Sequence, residues 1–218
     1  MTWDNHFALS IIPELLRGLW ITVQITLMGT VVALVLGLFV AVVRYMKIPV
    51  VSRLFGFVLQ FVRGTPLLVQ AYFAFFALPA YGVALSPMIT GIAVIGINYS
   101  AYTAEVYRAG VEDVAVGQWE AATALSLPMA RTWVKVILPQ AIRSVVPVLG
   151  NYLVQMFKDS AVLFAITIYE LMGRAQAIGS STYRYLEPMT IAAALYLIVS
   201  VIASQLVRLL ERRLELSR

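Results

Sequence analysis

The sequence predicts an all-helical integral membrane protein, one domain over residues 1–218 with about five spanning helices. Three observations predict it. The first is composition: 61% of the 218 residues are hydrophobic and 12% are charged, about half the charged share of an average soluble domain. So little polar surface does not keep a chain in water. The second is a set of charge-free runs that reach or exceed the ~20 residues needed to cross a bilayer. The third is the placing of the basic residues, which gather between and after those runs as membrane topology requires.

The elements follow in order. Residues 19–43 run without a charge and form the first span. Residues 11–18 read either as a short interfacial helix or as the beginning of that span. Residues 64–104 are also charge-free, but too long for one crossing. LPAYGVALSP (78–87), with two prolines and a glycine, divides them by a turn. The second span therefore starts near residue 51 and includes Arg63, and the third covers residues 88–107. Residues 145–157 and 160–169 join across Lys158 and Asp159 into a fourth. Residues 188–207 form the fifth, with Pro188 near the helix start, where proline is tolerated.

The charges orient these spans. Arg44, Lys47 and Arg53 lie in one connection, Arg108, Arg131, Lys135 and Arg143 in another, and Arg208, Arg212, Arg213 and Arg218 in the tail. With five spans these 11 of 16 basic residues share one side, against Arg17, Arg174 and Arg184 opposite. The richer side is cytoplasmic, so the N-terminus is expected outside and the C-terminus inside. The net charge of +5 then reports topology, not nucleic acid. Without cysteine there is no disulfide, zinc-thiolate site or thiol nucleophile, and the single His6 rules out a histidine metal cluster within the chain. No catalytic or metal-binding residue is expected. MTWDNHFALS lacks the basic run and cleavage site of a signal peptide.

One charged, helix-prone stretch interrupts this apolar chain. Within the connection 108–143, Trp119, Ala122 and Leu125 fall at helical spacing, with Glu120 expected in the first turn, where an acid suits the helix dipole. Pro128 is expected to end or kink the helix. Ala121 and Ala122 are small enough for it to seat in a partner's groove. The alternative is an amphipathic helix lying on its own bundle.

Glu120-Ala121-Ala122, then Val136, Leu138 and Pro139, resembles the EAA motif of ATP-binding-cassette (ABC) importer permeases. Ser126 stands where that motif carries glycine, and Val136 where it carries isoleucine. A left-handed turn at residue 126 would cost serine more than glycine. RGTPLLVQ (63–70), NYSAYTAEVYRAG (98–110), GQWEAA (117–122), LPQAIR (138–143), FKDSAV (157–162) and ERRL (211–214) extend the likeness, which is to the polar amino-acid uptake subfamily. The resemblance implies a type I importer fold with a cytoplasmic coupling helix between spans three and four. Glu120, Ala121, Ala122, Leu125, Ser126 and Pro128 are then the ATPase-coupling residues. It also implies a bacterial inner-membrane location, two ATPase subunits, a second copy or homologous permease, and a periplasmic binding protein delivering an amino acid. Basic, acidic and amide amino acids and zwitterions such as ectoines all fall within that subfamily. No cofactor is expected in this chain; ATP and magnesium belong to the partner ATPase. Consistently, none of the three lysines sits in a P-loop, being followed by Ile48, Val136 and Asp159.

Polar residues within spans are functional candidates. Asn98, Tyr102 and Glu105 share one helix face at i, i+4, i+7, and Asn151, Gln155 and Lys158 repeat the spacing beside Asp159. Asn98, Tyr102, Glu105, Lys158 and Asp159 are the expected pathway residues. Other roles compete: Glu105 pairing with Arg108, a structural Lys158–Asp159 pair, interhelical bonding by Asn151 and Gln155, and Arg63 anchoring the 64–66 bend. Residues 170–187 read as an outer loop, either docking a binding protein or merely solvated. An ion- or proton-coupled secondary transporter is the alternative function.

Overall fold

The computed structural model describes residues 2–46 and 48–215. Lys47 and Arg218, both counted in the charge asymmetry, lie outside them.

Helix α1 (Asn5–Tyr45) is continuous, so residues 11–18 begin the first span and form no separate interfacial helix. Helix α2 (Pro49–Gly64) and α3 (Leu67–Tyr72) meet at a 103° bend. The expected second span is thus broken at Thr65-Pro66, where proline removes a backbone donor. A π turn (Phe73–Ala77) and a 3-10 turn (Leu78–Tyr81) follow, and Gly82 closes them at φ 83°. Helix α4 (Pro87–Glu112) comes next, then α5 (Val116–Ala124), α6 (Met129–Thr132) and, after a second π turn (Trp133–Ile137), α7 (Leu138–Asp159). Both π turns end at a Leu-Pro pair, Leu78 donating to Phe73 and Leu138 to Trp133. Proline has no N–H for the carbonyl four residues back, and the widened turn relieves its clash with that carbonyl.

Beyond a 3-10 turn (Ser160–Ile166) lie α8 (Leu171–Thr182) and α9 (Leu186–Glu215). The fourth crossing therefore stops near residue 166. Residues 171–182 form a helix packed on α1 and α9, correcting the expected outer loop. Glu170, fully buried, caps α8 by accepting from the Met172 and Gly173 amides. A cap that satisfies the free N–H groups holds a short helix where a loop was expected.

Among the described residues, three helical runs are long and apolar enough to cross a membrane: Asn5–Tyr45, Met129–Ile166 and Leu186–Arg213. The bent α2–α3 pair makes a fourth. Helix α4, ~39 Å long at the helical rise, is long enough for the expected fifth crossing but is not among these apolar runs. It can carry polar groups because it is the central helix, with Thr90, Asn98, Ser100 and Thr103 buried.

The α1–α4 contact holds the bundle. Gly29, Ala33 and Gly37 line one face of α1 at four-residue spacing, which allows close backbone approach in lipid. A Cβ on Gly37 would lie 1.9 Å from Thr103 Oγ1. That hydroxyl donates to the Ala33 carbonyl at 2.8 Å. The largest buried cluster, with Ile25, Ile95, Tyr99, Met156 and Leu163, joins α1, α4, α7 and the 3-10 turn after α7. On the expected outer side, Asp4 caps α1 and Arg184 bonds both Asp4 and Glu187, tying the first helix to the last. The Phe7 N–H, with the His6 N–H and the Arg184 guanidinium, outweighs desolvation and holds the Asp4 carboxyl below its usual range.

Candidate functional site

Two features stand out: an elbow at the end expected to be cytoplasmic and a polar cavity between α4 and α7.

The elbow is α5 and the turn after it. Helix α4 runs to Glu112 and α6 starts at Met129, so within the expected segment 108–143 residues 113–128, with α5 among them, join the two helices. Arg108 pairs with Glu105 and Glu112 along α4, which favours continuation of that helix. Helix α5 starts at Val116, and its first turn holds no acid; Glu120 lies a turn further in than expected. Ala122 is 3% exposed and Leu125, the residue just past the helix end, 73%, so α5 meets the bundle at Ala122 and Leu125 turns outward although helical spacing puts the two on one side. On the inner face Trp119 packs edge-on against Trp133 at 5.3 Å, and Gln140 Nε2 donates to Gln118 Oε1 at 3.2 Å. On the outer face Glu120, Ala121 and Leu125 are free. The two readings of this helix are thus compatible: one face lies on its own bundle and the other is available.

The helix ends in a Schellman arrangement. Leu127 N–H donates to Ala122 at 3.0 Å and Ser126 N–H to Thr123 at 2.9 Å. Ser126 sits at φ 51°, the left-handed turn that the missing glycine put in question. Pro128 does not end α5; it is the extended residue that starts α6.

The cavity, about 80 Å³, is lined by Asn98, Tyr99, Tyr102, Tyr152, Gln155 and Asp159. Helix α4 supplies the first three and α7 the others. The structure therefore brings Asn98, Tyr102 and Asp159 together, as the spacing suggested. Tyr99 donates its hydroxyl to Asp159 Oδ2 at 2.6 Å. Among the described residues Asp159 joins no ion pair. A carboxylate with one hydroxyl donor and three tyrosine rings around it can receive an ammonium or another cation, by charge and by cation–π contact. The rings of Tyr99, Tyr102 and Tyr152 lie 5.7–6.0 Å apart.

Two expected pathway residues stand elsewhere. Glu105 binds Arg44 from α1 and Arg108 from its own helix, and does not line the cavity. Lys158 is exposed on α7 and forms no ion pair with Asp159 or any other described residue. Asn151 and Gln155 make no side-chain hydrogen bond among the described residues and are exposed, so they bridge no helices within one chain. Tyr99 and Tyr152 were missed. Tyr99 is one residue off the face of Asn98, and its inward turn depends on where α7 packs.

The chain is 46% identical over 96% of its length, and 93% of the other, to a probable amino-acid ABC transporter permease of Sinorhizobium fredii. It is 31% identical, over 99% of both chains, to the arginine transport system permease protein ArtQ of Bacillus subtilis. Among solved structures, an amino acid ABC transporter with histidines superposes with a TM-score of 0.93 at 36% identity, covering 98% of this chain and all of the other. The MetNI methionine ABC transporter, 19% identical, covers 94% of this chain and 98% of its own, and shares the fold with a TM-score of 0.80. The family model for the binding-protein-dependent transport system inner membrane component matches residues 33–216, and the chain belongs to that family.

Proposed function

We propose that this chain and a second permease subunit form the membrane pathway of an ATP-driven amino-acid importer. The observation that carries the reading is α5. It offers Glu120, Ala121 and Leu125 outward from a seat fixed by Trp119 and Gln118. That seat is the start of a helical run, Met129–Ile166, whose α7 portion of 22 residues reaches ~33 Å to Asp159. Displacement of α5 by a closing ATPase dimer would therefore be delivered along α7 to the cavity. ATP and its magnesium belong to the ATPase in this reading, and the coupling residues are Glu120, Ala121, Ala122, Leu125, Ser126 and Pro128.

A second subunit is supported by the exposed Asn151 and Lys158 on α7, neither of which lines the cavity. Polar groups facing hydrocarbon are costly, and a partner permease covers them. Asn98, Tyr102 and Asp159 line the pathway; Glu105 braces α1 against α4, and Lys158 faces the partner. The relatives' names support amino acids as the substrate class. A periplasmic protein delivers the substrate, the N-terminus lies outside the bacterial inner membrane, and the C-terminus is cytoplasmic.

The test is to purify the chain in lipid with its ATPase and binding protein and to follow ATP hydrolysis as amino acids are added singly. Stimulation by one amino acid, lost in Glu120→Lys without loss of assembly, is expected. Equal behaviour of parent and variant would refute the coupling role.

A further inference from the structure

The bend between α2 and α3 leaves a backbone carbonyl without its helical partner. The Val62 carbonyl would normally receive the N–H of residue 66, and Pro66 has none. The Gln70 side chain fills the gap. Its two Nε2 hydrogens serve three acceptors, Val62 O at 2.7 Å, Thr65 Oγ1 at 2.7 Å and Thr65 O at 3.1 Å, one hydrogen being shared. In a membrane a poorly satisfied carbonyl is costly, and the Thr65 hydroxyl, shared with Phe61 O at 3.1 Å, gives Val62 O only a longer bond of 3.3 Å, so the Gln70 amide does not readily turn round.

That constraint passes on. A carbonyl only accepts, so the nitrogen of Gln70 must face the bend and its oxygen must face away. Gln70 Oε1 receives Asn98 Nδ2 at 3.2 Å. Asn98 is 6% exposed and lines the cavity. With its nitrogen engaged by Gln70, Asn98 has its carbonyl oxygen left, and no described residue donates to that oxygen. The Asp159 carboxylate stands on the same cavity.

We infer that Gln70 is a positioning residue for the cavity. By fixing the Asn98 amide it makes Asn98, like Asp159, an acceptor toward whatever enters, and so selects a donor group: the α-ammonium of an amino acid. This rests on the cavity being part of the substrate pathway. The same side chain joins the α2–α3 bend to that site.

Two variants separate positioning from bend repair. Gln70→Met removes both functions. Gln70→Glu keeps an acceptor for Asn98 but loses the donor to Val62. The probe is radiolabelled L-arginine, L-histidine or L-glutamine, bound to the permease–ATPase complex in nanodiscs without binding protein. Loss of one hydrogen bond predicts about tenfold weaker binding for Asn98→Ala and for Gln70→Met. The double variant is expected to be no weaker than either alone, because Gln70 acts through Asn98. Gln70→Glu is expected to bind like the parent or more tightly. Equal loss in Gln70→Glu and Gln70→Met, or additivity with Asn98→Ala, would overturn the positioning role and leave only bend repair. If no probe's binding depends on Asn98, the pathway reading itself fails, and this inference with it.

Discussion

Ser126 shows how a single residue can be read in advance. The motif spacing put serine where a glycine is usual, and physical chemistry said what that would mean if the backbone were left-handed. It is, at φ 51°. A left-handed conformation costs an L-residue roughly 1–2 kcal/mol, part of which glycine returns by its freer unfolded chain. Ser126→Gly is therefore expected to stabilise the chain by about 0.5–1 kcal/mol, seen as a higher unfolding temperature of the purified protein. A lower one would mean that the serine makes a compensating contact. Asn98, Tyr102 and Asp159 were legible for a different reason. A polar side chain within an apolar run is rare enough to mark a candidate. Tyr99 and Gln70 were not, because each acquires its role from a partner distant in sequence: Asp159, 60 positions away, and Asn98, 28 positions away.

At the scale of elements, apolar runs and prolines placed most of the helices. They did not reveal the 103° bend at Thr65-Pro66, since a broken span has the same composition as a straight one. Nor did they reveal α8, whose start depends on the buried Glu170 cap. The expected connection 108–143 has helix at both its ends, since α4 continues to Glu112 on its own ion pairs and α7 begins at Leu138, which charge alone does not reveal. The α1–α4 seam gives the sharpest test of element packing. Gly37→Val would push a branched side chain into Thr103. Overpacking of this kind typically costs about 1–3 kcal/mol, and the Thr103–Ala33 bond would be strained too. The expected result is a lower unfolding temperature in detergent, with Gly56→Ala unaffected, since nothing lies within 4 Å of a Cβ there. Equal tolerance of both changes would contradict the close approach.

For the whole molecule, the fold joins two ends. The α5 elbow has one face seated on the bundle and one face open, and the helical run beginning under it ends beside Asp159. An ion- or proton-coupled transporter would need the internal carboxylate but not the elbow. An ATP-driven permease needs both. The most direct test is accumulation of a labelled amino acid in proteoliposomes holding this chain, its ATPase and its binding protein. The account predicts uptake that requires ATP and both partners. It also predicts at least tenfold less uptake for Asp159→Asn, with the complex still assembled. Accumulation driven by an ion gradient without the ATPase, or full uptake by Asp159→Asn, would contradict it.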